Sequence, residues 1–89
     1  MIEREIEVQN KLGLHARAAA KLVHMAARFA SDIKLRKGSE EVDGKSILGV
    51  LLLAAAKGST VTISAEGTDE TEALDSIEKL FNDKFHEGE

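Results

Sequence analysis

With 89 residues, 43% of them apolar and 31% charged, the chain suits one small soluble globular domain and not a disordered polypeptide. It has no cysteine, which excludes a disulfide framework or a thiolate metal site and fits a reducing cytoplasm. A net charge of −4 argues against a general nucleic-acid binder, and neither a signal peptide at Met1-Ile2-Glu3-Arg4-Glu5 nor an apolar run of membrane-spanning length is read.

Ile2, Ile6 and Val8 alternate with Glu3, Glu5 and Glu7, the pattern of a half-buried strand, with Arg4 breaking the apolar face near its edge. Gln9 to Gly13 reads as the turn that releases His15. Ala16 to Ala20 starts a helix at once, because alanine is the best helix former. That helix is expected to run to Phe29 or Ala30 on the stripe Ala19, Leu22, Val23, Ala26 and Phe29. Its opposite face carries Arg17, Lys21, His24 and Arg28, a basic stripe on an acidic protein. A solvated helix face explains such a stripe; so does partner docking, which gains weight because the stripe starts beside His15.

Ser31-Asp32 closes this helix and opens a second strand, in which Ile33 and Leu35 alternate with Lys34 and Arg36. Lys37-Gly38-Ser39 is a hairpin signal, Glu40-Glu41-Val42 a short return strand, and Asp43-Gly44 a further turn. Ser46 is placed as the N-cap of a second helix through Ala56, ended by Lys57-Gly58. This helix is apolar nearly all round, so some of Ile47, Leu48, Leu51 and Leu52 are expected on the surface as a docking face; burial of all four is the competing reading.

Thr60 to Ala65 alternates Val61, Ile63 and Ala65 against Thr60, Thr62 and Ser64, a further strand. Asp69 and Glu72 have capping-box spacing ahead of the stripe Ala73, Leu74, Ile77, Leu80 and Phe81, which runs through Lys84. Residues from Phe85 to Glu89 are expected to fray. The order β-α-β-β-α-β-α implies an α+β fold over a single domain, 1–89: an open-faced two-layer sandwich with a mainly antiparallel four-stranded sheet and three helices on one face. Periodicity leaves the strand order open.

The chemistry converges on Leu12-Gly13-Leu14-His15-Ala16-Arg17, where a glycine and a leucine deliver a histidine to the start of the alanine-rich helix. The first N–H groups of a helix lack intrahelical partners and carry the positive end of its dipole, so His15 stands at an anion site. Arg17 adds a planar cation suited to a phosphoryl group. An imidazole nitrogen is a nucleophile only without its proton, the form that a positive helix end favours. These are the parts needed to accept and return a phosphoryl group; a plain helix-start histidine is the alternative. No metal site is read from His15, His24 and His86, since none forms an i, i+4 pair and no acidic ligand gathers with them. Asp69, Glu70 and Glu72 could be read as paired catalytic carboxylates, but a helix start accounts for them.

Gly13-Leu14-His15-Ala16-Arg17, together with Lys45-Ser46-Ile47-Leu48-Gly49-Val50 and Ala56-Lys57-Gly58 at matching spacing over nearly the whole chain, resembles the HPr family, the small phosphocarriers of the bacterial sugar phosphotransferase system. The resemblance implies the strand order 1-4-2-3 and a cytoplasmic monomer that carries a phosphoryl group without being an enzyme. It implies that phosphorylated enzyme I donates to His15 on Nδ1, and that His15 donates onward to enzyme IIA domains in sugar uptake. In that scheme Arg17 clamps the phosphoryl group and the amides of Ala16 to Ala18 donate to its oxygens. Lys21, His24, Arg28, Ile47, Leu48 and Leu51 are the expected docking residues. No cofactor, metal, nucleic acid or membrane insertion is implied. Ser46 stands where the family presents a serine to an HPr serine kinase/phosphorylase, although serine is favoured as an N-cap in any case. The family usually has a proline after the arginine; this chain has Ala18, which leaves the first turn less rigid and bears on the rate of transfer more than on the role. The runner-up, from another class, is a regulatory protein that acts by contact with enzymes or transcription factors.

Overall fold

The computed structural model describes residues 1–86. Its elements follow the expected order: β1 (Ile2–Glu7), α1 (Ala16–Ala26), β2 (Asp32–Lys37), β3 (Glu40–Asp43), α2 (Ile47–Leu53), β4 (Thr60–Glu66) and α3 (Glu70–Asn82), then a tight turn over Lys84–His86. The sheet is ordered β1-β4-β2-β3, and every ladder is antiparallel. Register follows from the period-two pattern. Ile6 faces Val61, Leu35 faces Ile63, and Ile33 faces Ala65, so one side of the sheet is apolar. The helices cover that side, and their stripes, Ala19, Leu22 and Ala26 of α1 and Ala73, Leu74, Ile77, Leu80 and Phe81 of α3, complete a single core. The other face, with Glu3, Glu5, Thr62 and Arg36, carries the alternate polar positions.

Arg4 shares the apolar side of β1 and reaches the helix layer, where its guanidinium lies 2.6 Å from the Asp75 carboxylate and 2.9 Å from that of Glu78. The break in the strand pattern is thus a tie between β1 and α3.

Four local expectations are corrected. α1 ends at Ala26, short of Phe29. The next residues close as tight turns, Arg28 N–H to the Met25 carbonyl and Phe29 N–H to that of Ala26. The amides of Ala30 and Ser31 then bond to the Asp69 carboxylate at 2.9 and 3.0 Å. This is why Asp69 does not form the expected capping box with Glu72: its side chain is spent across the molecule, with a further bond from the Ser31 hydroxyl. That hydroxyl first, and then the Ala30 amide, hold the Asp69 carboxyl below the usual carboxylate range. Glu70 instead reaches back and accepts from the Gly67 amide at 3.1 Å.

α2 likewise stops at Leu53, with Ala54 in the left-handed region at φ 52°, so Lys57-Gly58 is not its terminator. Ala55 is buried and gives its carbonyl to the Leu14 amide at 2.9 Å. Finally, Phe85 does not fray. It is fully buried and meets Phe81 edge to face at 4.8 Å between ring centroids. The rest of that expectation, on residues 87–89, lies outside the described residues.

Candidate functional site

The loop before α1 is built by three locks, one within the loop and two against Ala55. Asn10 is fully buried, and its Nδ2 donates to the Gly13 carbonyl at 2.7 Å while the Gly13 amide returns to the Asn10 carbonyl at 3.1 Å. Gly13 adopts φ +67°, and a Cβ there would sit 2.5 Å from the Ala55 oxygen, so both conformation and space demand glycine. Leu14 is then buried and pinned through its amide to Ala55.

These locks deliver His15 as the N-cap of α1, with extended backbone at φ −75° and ψ 179°. Its carbonyl accepts the Ala19 amide at 2.8 Å, the first turn of the helix. The half-exposed side chain makes no capping bond to the first-turn amides, and the first turn holds no carboxylate. The amides of Ala16, Arg17 and Ala18 are the first three of the helix, where no i−4 carbonyl is available within it. The imidazole, Arg17 and the first-turn amides therefore fall within one helical turn, an arrangement suited to an anion next to the ring.

The second motif comes alongside. Lys45 Nζ donates to the Phe29 carbonyl at 2.8 Å, beyond the far end of α1, whereas Ala55, just past α2, is bonded beside its near end. α2 thus runs antiparallel to α1, with its C-terminal end toward the start of α1. Ile47, Leu48, Leu51 and Leu52 are all exposed, at 45, 64, 36 and 66%, while Val50 and Leu53 point into the core. Ser46 caps α2, its hydroxyl accepting the Gly49 amide at 3.1 Å. Ser46 and His15 therefore stand toward opposite ends of α2, whose seven residues span about 10 Å.

The basic stripe does not stay together. Arg17, His24 and Arg28 are exposed, but Lys21 is half-buried and its ammonium donates to the Phe85 carbonyl. Sequence reasoning missed Asn10 and Leu12. Leu12 is 65% exposed two residues before Leu14, and an apolar residue inside a turn is the signal that could have marked it. Among the described residues no three His, Cys, Asp or Glu side chains come together as a metal site, and no helix is long and apolar enough to cross a membrane.

Ala18 is the third helical residue and fully buried. Its amide has no i−4 acceptor within α1, so Ala18→Pro is expected to stabilise the domain by about 0.4–1 kcal/mol through the unfolded state. Denaturant unfolding checks this; a lower midpoint would show that the ring collides with the packing around Ala18.

A family model for the phosphorylation-site component HPr of the phosphotransferase system matches residues 2–83. The chain is 49% identical to the phosphocarrier protein HPr of Cupriavidus necator over 89 residues, 100% of both proteins. The fold matches the crystal structure of HPr from Thermoanaerobacter tengcongensis with a TM-score of 0.96 and 44% identity over 100% of each chain. It also matches Crh, a catabolite repression protein of Bacillus subtilis described as a swapped dimer, with a TM-score of 0.76 and 42% identity over 94% of this chain and 97% of that one. Sequence, fold and site therefore agree that this chain belongs to the HPr family of phosphocarrier proteins of the phosphotransferase system.

Proposed function

We propose that the protein accepts a phosphoryl group on His15 from phosphorylated enzyme I and passes it to enzyme IIA domains that feed sugar uptake in the cytoplasm. The observation that carries this reading is His15 at the start of α1, next to Arg17 and the first-turn amides. In the step, the lone pair of His15 Nδ1 attacks phosphorus and a P–N bond forms. The bond between phosphorus and the donor breaks, and its electron pair stays with the donor. Arg17 and the amides of Ala16, Arg17 and Ala18 hold the equatorial oxygens, so the carrier contributes position and charge. The reverse sequence of bonds passes the group to the acceptor, and His15 is restored. Incubation with phosphorylated enzyme I followed by acid-labile phosphate analysis tests the reading. Stoichiometric acid-labile label supports it, and no label overturns it.

Docking is assigned to the face made by Ile47, Leu48 and Leu51, with Leu12 beside the loop and the positive charge of Arg17, Lys21, His24 and Arg28 along α1. Ile47→Asp and Leu51→Asp are each expected to weaken enzyme I binding by tenfold or more, roughly the cost of an interface anchor, with melting temperatures close to the parent. Titration calorimetry and thermal melts check both, and unfolding of either variant would assign its side chain to the core. Arg28→Glu should slow association at low salt and little at high salt, as a rim charge does.

Ser46 is assigned a regulatory role as the substrate of a serine kinase/phosphorylase that modifies this family. The likeness to Crh favours one second reading, a regulator that works by contact with other proteins. His15 phosphorylation separates the two, because a contact regulator has no need of it.

A further inference from the structure

Along the flank of α1 facing α3 lies a groove of about 320 Å³, the low end of the range for small-ligand sites. Its floor is apolar, formed by Met25, Phe29 and Leu80, and its rim carries Arg28, Lys79 and His86. A shallower extension shares Met25, Arg28, Leu80 and His86 and adds Lys21 and His24. Against the cations Lys21, Arg28 and Lys79 stands, among the described residues, the carboxylate of Asp83, in a protein whose net charge is −4. Among the described residues no carboxylate pairs with Arg28 or Lys79.

One wall of this groove is held in an unusual backbone. Lys84, Phe85 and His86 have φ values of 54, 55 and 61°, three consecutive non-glycine residues in the left-handed region. Such strain persists only where the surroundings over-determine it, and it clusters at ligand clamps. Here the Phe85 ring is locked against Phe81 and its carbonyl takes the Lys21 ammonium, which leaves His86 turned onto the groove rim.

We propose that this groove is a second ligand site, one that takes a small organic phosphate with an apolar or aromatic body. The body would lie on Met25, Phe29 and Leu80. The phosphate would sit between Arg28, whose planar fork matches two of its oxygens, and Lys79, which supplies a point charge. The volume suits a metabolite-sized molecule and not a protein segment. Arg28 lies two residues past the end of α1, whose eleven residues span about 16 Å, so the site is separate from the first-turn amides beside His15.

The test is a titration of the full chain with 1-naphthyl phosphate, followed by amide NMR, with inorganic phosphate and 1-naphthol as separate arms. Saturable shifts at Met25, Arg28, Phe29, Ser76 and Leu80 are expected, with each half-ligand binding at least tenfold more weakly. Arg28→Glu and Lys79→Glu should each lower the affinity about tenfold without lowering the melting temperature, and Asp83→Asn should raise it. Shifts confined to Ala16, Arg17 and Ala18 would place the ligand at the α1 start and overturn the proposal. Equal binding of 1-naphthol, or unchanged affinity in both charge reversals, would reduce the groove to an apolar crevice and overturn it as well.

Discussion

Replacing His15 by alanine is expected to abolish phosphoryl acceptance from enzyme I while leaving the fold intact. The separation of the two effects follows from how the residue is held. Its backbone sits at φ −75° and ψ 179°, which alanine adopts without strain, and its side chain makes no capping bond to α1. The locks that shape the loop are the Asn10–Gly13 bonds, the Gly13 conformation and the Leu14 amide bond to Ala55. A substitution of this kind stays within about 0.5 kcal/mol, or roughly 2–4 °C in melting temperature for a domain of this size. The chemical loss should be complete, because neither other histidine has the same surroundings. His24 lies in the last turn of α1, and His86 follows the end of α3, so neither stands at a helix start. Acid-labile phosphate on the variant would move the acceptor to His24 or His86 and overturn the site assignment. A fall in melting temperature well beyond a few degrees would show instead that His15 is part of the packing.

The site was legible where its parts are adjacent in the chain. Gly13, His15, Arg17 and the amides of Ala16 to Ala18 fall within six residues, so helix physics alone brings them together. The strands were legible for the same reason, since an alternation such as Val61, Ile63 and Ala65 is a local property that burial enforces. Helix ends were not. α1 stops where Asp69, some forty positions on, captures the amides of Ala30 and Ser31, and α2 stops where Ala55 must meet Leu14. Phe85 was misread because it stands among Lys84, His86 and Glu87; its spacing of four from Phe81 continues the α3 stripe, and its ring packs there. Lys21 belonged to the basic stripe by spacing, yet the buried Phe85 turn claims its ammonium, which no local pattern shows. For the helix ends and for Lys21 the deciding contact spans a distance in sequence that propensity does not see.

Ser46→Asp is expected to cut transfer to His15 sharply, whereas Ser46→Ala should leave the rate near that of the parent and instead cost stability. The structure separates the two consequences. The Ser46 hydroxyl accepts the Gly49 amide at 3.1 Å, so alanine loses a helix cap, worth about 1 kcal/mol, and aspartate keeps one. Transfer responds to charge, not to capping. Ser46 lies the length of α2 away from His15, too far for an added charge to touch the ring directly, but it adjoins Ile47 at the edge of the exposed apolar face. An enzyme I surface that presents carboxylates to Arg17 and Arg28 meets a like charge there, and it must desolvate that charge as the apolar contact closes. Phosphoserine, with about −1.5 to −2 charges, should act more strongly than aspartate and is accommodated by the same amide that the hydroxyl now engages. The measurement is phosphotransfer from enzyme I under conditions where both variants are folded, read as binding and turnover separately. The loss in Ser46→Asp should appear in binding and shrink as salt is raised, because the repulsion is screened. Equal rates for the aspartate and alanine variants would leave Ser46 as a cap for α2 and nothing more. A loss in turnover at unchanged binding would mean that the α2 start acts on His15 through the fold, and the docking account of Ser46 would fall.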